Sequence, residues 1–126
     1  MSATAYTDIE FPRLSIGVSS CLLGNEVRHD GGHKRNIYAT STLSEYFRFR
    51  SFCPEMAIGL GVPRPTIRLT RSDNGIRLTG SDNPDMDLTD DMNTWSAEAI
   101  EGMQDLSGFI LKNNSPSCGM ERVRVY

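Results

Sequence analysis

Long apolar runs are missing from these 126 residues. None approaches the roughly 20 that a membrane-spanning helix needs. The opening stretch MSATAYTDIEFPRLS has neither the basic nor the apolar segment of a secretory signal, so a cytoplasmic location is expected. Cysteine is scarce: there are three, an odd number. Without an export signal this argues against a disulfide framework and leaves reduced thiols or metal ligands. No two of them form the CxxC pair of a zinc site. Internal repeats, linkers and low-complexity segments are also lacking. So is the strong basic excess of an RNA-binding domain, since the formal net charge is −3. The expected organisation is one domain spanning residues 1–126, long enough to bury roughly 65–70% of its unfolded surface.

The small net charge conceals an asymmetry. Residues 28–77 hold nine Lys/Arg against four Asp/Glu, whereas residues 78–126 hold three against nine. A charge run of this kind is usually a solvated face, but the first half can also meet an anion.

RLSIGVSS (13–20) has the apolar core of a buried strand, and a glycine-bearing loop follows. NIYATSTLSEYF (36–47) places Ile37, Thr40, Leu43 and Phe47 at helical spacing, and FRFRSFC (47–53) alternates as a half-buried strand does. In PEMAIGLGVPRP, Gly59-Leu60-Gly61 lacks the third glycine and the helix of a dinucleotide fingerprint. Residues 66–80 read as a hairpin whose Asn74-Gly75 suits a type I′ turn. Leu88, Met92, Trp95, Ala99, Met103 and Leu106 form one apolar helical stripe, with Asp87 or Thr89 as cap. Residues 106–113 read as a last buried strand. Strands separated by helices predict an α/β fold: a small, open, mainly parallel Rossmann-like sheet flanked by helices, with a β-hairpin insertion.

Each cysteine follows a strand: Cys21 ends the first, Cys53 ends the second, and Cys118 lies in the polar loop KNNSPSCGM beyond the last. An open parallel sheet binds ligands at the carboxyl edge of its strands, so residues 32 and 65 positions apart are expected to converge there. Three thiolates can hold a metal with an open fourth position, or an iron–sulfur cluster with one iron free of protein. The plainer alternative is three small buried hydrophobes.

The segments VSSCLLGNEVRHDGGHKRN, FCPEMAIGLGVPRP and NNSPSCG, in that order, resemble the thiouracil desulfidase (TudS-type) family across most of residues 14–119. The wording HDGGHKR and CPEMAIGL is most similar to the N-terminal domain of the two-domain tRNA 4-thiouridine desulfidases. In those, a helical RNA-binding domain follows; with the sequence stopping at ERVRVY, that domain is expected to be absent. The resemblance implies a 4Fe–4S cluster held by Cys21, Cys53 and Cys118. It also implies desulfidation of a thiolated uracil, thiouridine nucleotide or tRNA, with hydrosulfide as the second product and no net redox change. Glu55 and Ser115 match the catalytic positions, where a partly desolvated glutamate suits proton transfer. A Glu55–Arg64 salt bridge and a turn-capping Ser115 are the structural alternatives.

Asp30, Lys34 and Arg64 are further candidates for holding sugar, phosphate or base. His29 and His33 are four apart, but the glycines between them argue against a helical metal pair. Two other functions compete. One is a nucleotide- or RNA-binding module with a structural metal, for which a fourth ligand has no obvious source. The other is a hydrolase with Cys53 or Cys118 as nucleophile and a histidine base.

Overall fold

The computed structural model describes residues 13–126. Three strands, β1 (Leu14–Ser19), β2 (Phe47–Phe52) and β5 (Gly108–Ile110), form a parallel sheet in the order β2-β1-β5. Leu14 pairs with Phe47 and Ser19 with Phe52, while Ile16 pairs with Gly108 and Val18 with Ile110. The sequence of β1 explains its central place: Val18 is fully buried, and Gly17 leaves room for a neighbour. A Cβ at Gly17 would stand 2.5 Å from the Phe109 ring, nearer than packed carbon atoms approach. The Phe52 and Phe109 rings meet 5.4 Å apart at one end of the sheet.

The hairpin is a separate two-stranded sheet, β3 (Ile67–Ser72) and β4 (Gly75–Gly80). Its turn differs from the expected type I′. Ser72 pairs with Gly75, so Asp73 and Asn74 are the corners. Neither has positive φ; Gly75 does, at +91°. A glycine in the left-handed region just after the corners gives the bulged form of hairpin turn, which glycine tolerates without strain. Ile67 and Leu78, from the inner face of the hairpin, pack with Leu88, and Ile58, Leu60, Leu69, Met86 and Met92 close around them.

Among the described residues two helices are regular: the single turn α1 (Pro54–Ala57) and α2 (Thr89–Glu101). Over residues 36–47 the expected helix is replaced by a π turn (Tyr38–Thr42) and a 3-10 turn (Leu43–Glu45). The composition accounts for this. Asn36 Oδ1 accepts from the Ala39 amide at 2.9 Å, and the Thr40 and Ser44 hydroxyls donate back to main-chain carbonyls. Such bonds compete with a regular helix. At α2 the cap position is Leu88, without a side-chain cap. Asp87 accepts from the Thr89 amide at 3.0 Å, and Thr89 Oγ1 accepts from the Leu78 amide at 2.8 Å. No residue within α2 is fully buried. Trp95 and Ala99 of α2, with Met103 just beyond its end, line a groove of about 300 Å³ together with Phe52, Phe109 and Leu111. The fold is thus mixed α/β: a small parallel sheet plus an antiparallel hairpin, flanked by helices. Among the described residues no helix is long and apolar enough to cross a membrane.

Candidate active site

The parallel register brings the ends of β1, β2 and β5 to one edge. Cys21 lies in the 3-10 turn Ser20–Leu23 that follows β1. Cys53 links β2 to α1, where Pro54 at the first helical position forces an abrupt start. Cys118 lies beyond β5. All three are free thiols, partly buried, and all three line one cavity of about 50 Å³. Burial pushes the Cys53 thiol above its ordinary pKa, against the opposing pull of the Met56 amide. Metal coordination reverses such a rise by fixing the thiolate.

No group of three His, Cys, Asp or Glu side chains among the described residues is arranged to hold a single metal ion. Three thiolates on one tetrahedral ion at about 2.3 Å would crowd to roughly 4 Å from one another. A cluster seats each thiolate on its own iron and so tolerates the wider set. Neither His29 nor His33 lines the cysteine cavity, and His33 Nδ1 already accepts from the Arg35 amide at 3.1 Å.

A second cavity, about 260 Å³, lies against the first; Arg28, Glu55, Arg64, Lys112 and Ser115 line both. Glu55 is held at each oxygen. Oε1 accepts from Arg64 Nε at 3.0 Å and Oε2 accepts from Ser117 Oγ at 2.8 Å. The Arg64 and Glu55 side chains are only 3% and 14% exposed, so the pair is buried, and removing one partner of such a pair costs about 3–5 kcal/mol. Arg64 also donates through Nη1 to Gly61 O (2.9 Å) and Met56 Sδ (3.4 Å), and through Nη2 to Val27 O (2.7 Å). Four of the five donors of a guanidinium are therefore engaged within the protein.

Ser115 Oγ accepts from the Cys118 amide at 3.1 Å and the Ser117 amide at 3.3 Å, and lies 3.2 Å from Ser117 Oγ. It both shapes the loop carrying Cys118 and faces the cavity. The salt bridge and the capped turn, the structural alternatives for Glu55 and Ser115, are thus present. They coexist with a position on the cavity wall, because a carboxylate and a hydroxyl each accept more than one bond.

The structure does not bring every candidate together. Asp30 and Lys34 line neither cavity. Asp30 Oδ1 instead accepts from the Gly32 amide at 2.8 Å, which, more than any other contact, holds its pKa below the ordinary value. Lys34 is exposed and contributes its backbone amide to Cys21 O at 3.0 Å.

A family model described as 2-thiouracil desulfurase matches residues 16–126. The chain belongs to that family. No curated protein matches it. Among solved structures, the 4Fe–4S-dependent thiouracil desulfidase TudS is similar, with 32% identity and a TM-score of 0.64. The match covers 85% of this chain and 69% of that one.

For a member of the 2-thiouracil desulfurase family, the structure adds residues that sequence reasoning passed over. Ser117 links Glu55 to Ser115; its only signal was its place directly before Cys118. Arg28 and Lys112 line both cavities, and Asn113 and Asn114 line the larger one. All four sit in polar segments where a single sequence does not separate a cavity wall from an ordinary surface.

Proposed function

We propose that this chain is an iron–sulfur-dependent desulfidase that removes sulfur from thiolated uracil or uridine, releasing hydrosulfide, with Cys21, Cys53 and Cys118 holding a 4Fe–4S cluster. One observation carries it: thiols from three segments far apart in sequence meet in one cavity, which adjoins a second lined by an anchored carboxylate. The donor set fits the group, being soft, free of disulfides and three in number, which leaves one iron open. Family membership and the likeness to TudS support the same activity. When bound, the cluster supplies a Lewis-acidic site for the soft sulfur of a thiocarbonyl.

The remaining work falls to the chain. Glu55, with both oxygens directed by Arg64 and Ser117, is the base that deprotonates the attacking water, or the acid that returns a proton to the ring nitrogen. Ser115 holds a substrate oxygen or passes a proton through Ser117 to Glu55. The burial of the Arg64–Glu55 pair limits bulk water at the carboxylate, which strengthens every polar contact there.

A cavity near 260 Å³ is just below the range of roughly 300–1,000 Å³ that holds drug-sized ligands. It favours a free thiouracil or thiouridine nucleotide as the substrate handled by this domain. Thiouridine in tRNA would then be processed well only with an additional helical RNA-binding domain. The reducing cytoplasm is the compartment that keeps the three thiols available.

The test is anaerobic. Reconstituted protein should bind about four irons and four sulfides and release hydrosulfide from 2-thiouracil or 4-thiouridine. Cys21→Ala, Cys53→Ala and Cys118→Ala should each lose iron and activity together. Reconstituted protein that retains no iron would end the proposal.

A further inference from the structure

Three cationic side chains line both cavities: Arg28, Arg64 and Lys112. Two are already committed. Arg64 spends four donors on Glu55, Met56, Gly61 and Val27. Lys112 Nζ donates to Asn113 O at 2.6 Å and to Asn113 Oδ1 at 2.9 Å. Among the described residues the Arg28 guanidinium enters no salt bridge. Among the described residues it is the cation at this junction whose side-chain donors are all unengaged.

Its backbone is fixed in a way that suits that task. The Arg28 amide donates to Gly32 O at 3.1 Å and Arg28 O accepts from the Gly31 amide at 2.8 Å, closing a tight turn. Gly31, at φ +82°, takes a conformation that only glycine adopts freely. Arg64 then grips the residues on either side: its Nη2 donates to Val27 O at 2.7 Å, and its amide donates to His29 O at 2.9 Å. The buried arginine thereby presents the partly exposed one. Asp30, the acid of the same turn, has Oδ1 engaged by the Gly32 amide.

A pyrimidine offers exocyclic oxygen acceptors at its edge, and a guanidinium carries a planar fork of donors matched to such acceptors. We propose that Arg28 anchors the substrate, donating to the pyrimidine's exocyclic oxygen and so turning the thiocarbonyl edge toward the cysteine cavity. The assignment rests on the desulfidase function proposed above, and it names a residue that neither the motif comparison nor the first-loop candidates Asp30 and Lys34 supplied.

The experiment uses anaerobically reconstituted wild type, Arg28→Ala and Arg28→Lys. Uracil binding is measured by calorimetry, with iron content measured alongside. Because a hydrogen bond from a charged donor is among the stronger ones, Arg28→Ala should bind uracil about tenfold to a hundredfold more weakly at unchanged iron content. Arg28→Lys keeps the charge without the fork and should fall between. If Arg28→Ala fails to fold, Arg28→Lys alone decides, since a weakening of threefold or more supports anchoring and wild-type affinity overturns it. Affinity within twofold of wild type in Arg28→Ala, or iron lost together with affinity, also overturns it. Hydrosulfide release by the wild type reports on the desulfidase function independently of either variant.

Discussion

At the scale of single residues, the site depends on how one carboxylate is held. Glu55 has two oxygens and two partners, a buried guanidinium and the Ser117 hydroxyl. Arg64 balances its charge, while Ser117 sets its direction and connects it to Ser115, 3.2 Å away. A hydrogen bond to a charged group contributes about 1.5–3 kcal/mol. If that energy orients the carboxylate in the reaction, Ser117→Ala should lower kcat about tenfold to a hundredfold and leave KM and iron content near wild type. Ser117→Thr, which keeps the hydroxyl, should restore most of the rate. Loss of iron in Ser117→Ala would mean that the hydroxyl serves the Cys118 loop instead. The sequence pointed to Cys21, Cys53 and Cys118 by their places after strands and to Glu55 and Ser115 by the family resemblance, and all five line one cavity. Arg28 and Ser117 were not legible: Arg28 is placed through its neighbour Val27, whose carbonyl meets Arg64 37 positions away, and Ser117 meets Glu55 62 positions away. Arg64 was a candidate for holding substrate, but its burial was not legible, because an arginine with 3% exposure depends on carbonyls from loops that only the fold assembles.

At the scale of elements, β4 is clasped to the start of α2. Arg77 Nε donates to Asp87 Oδ2 at 2.8 Å while Asp87 Oδ1 receives the Thr89 amide. These bonds, led by the one from Arg77, hold the Asp87 carboxyl down at about 2. An unfolded aspartate titrates near 3.9, so between these values the unfolded chain binds a proton that the folded chain refuses. The stabilisation from the clasp is therefore fully present above pH 4 and disappears as the pH falls through 2. Asp87→Asn should lower the urea midpoint above pH 4, and its curve should approach that of the wild type toward pH 2. A constant offset across that range would assign the effect to packing. The same segment shows what periodicity conveys and what it misses. The stripe from Leu88 to Leu106 marked α2 but ran past its end at Glu101; Leu88 and Met92 pack with the hairpin, whereas Trp95, Ala99 and Met103 stand across a groove from the sheet. Hydrophobic spacing marks which face turns inward, without saying how closely that face is covered. Over residues 36–47 the same spacing misled, because the serine and threonine hydroxyls bond to the backbone they interrupt.

At the scale of the whole molecule, the parallel sheet is short: β5 has only three residues, and the hairpin forms its own sheet. β5 pairs with β1 over only three residues, so few backbone bonds tie its end to those of β1 and β2 at the edge where the cysteines emerge. A group ligated by Cys21, Cys53 and Cys118 would cross-link those three ends, and a group that only the folded state can bind adds its binding free energy to folding. At a hundredfold excess over Kd that is about 2.7 kcal/mol, enough to raise the thermal midpoint of a chain this size by roughly 10 °C. Reconstitution under anaerobic conditions should therefore raise Tm by several degrees, and chelation should reverse the rise. Cys21→Ser should abolish it, since each cysteine follows a different strand. Differential scanning fluorimetry on matched loaded and stripped samples measures this directly. If the loaded and stripped forms melt together, the cluster does not bind the folded chain in preference to the unfolded one; a rise that survives Cys21→Ser would show that two ligands suffice to hold the edge closed.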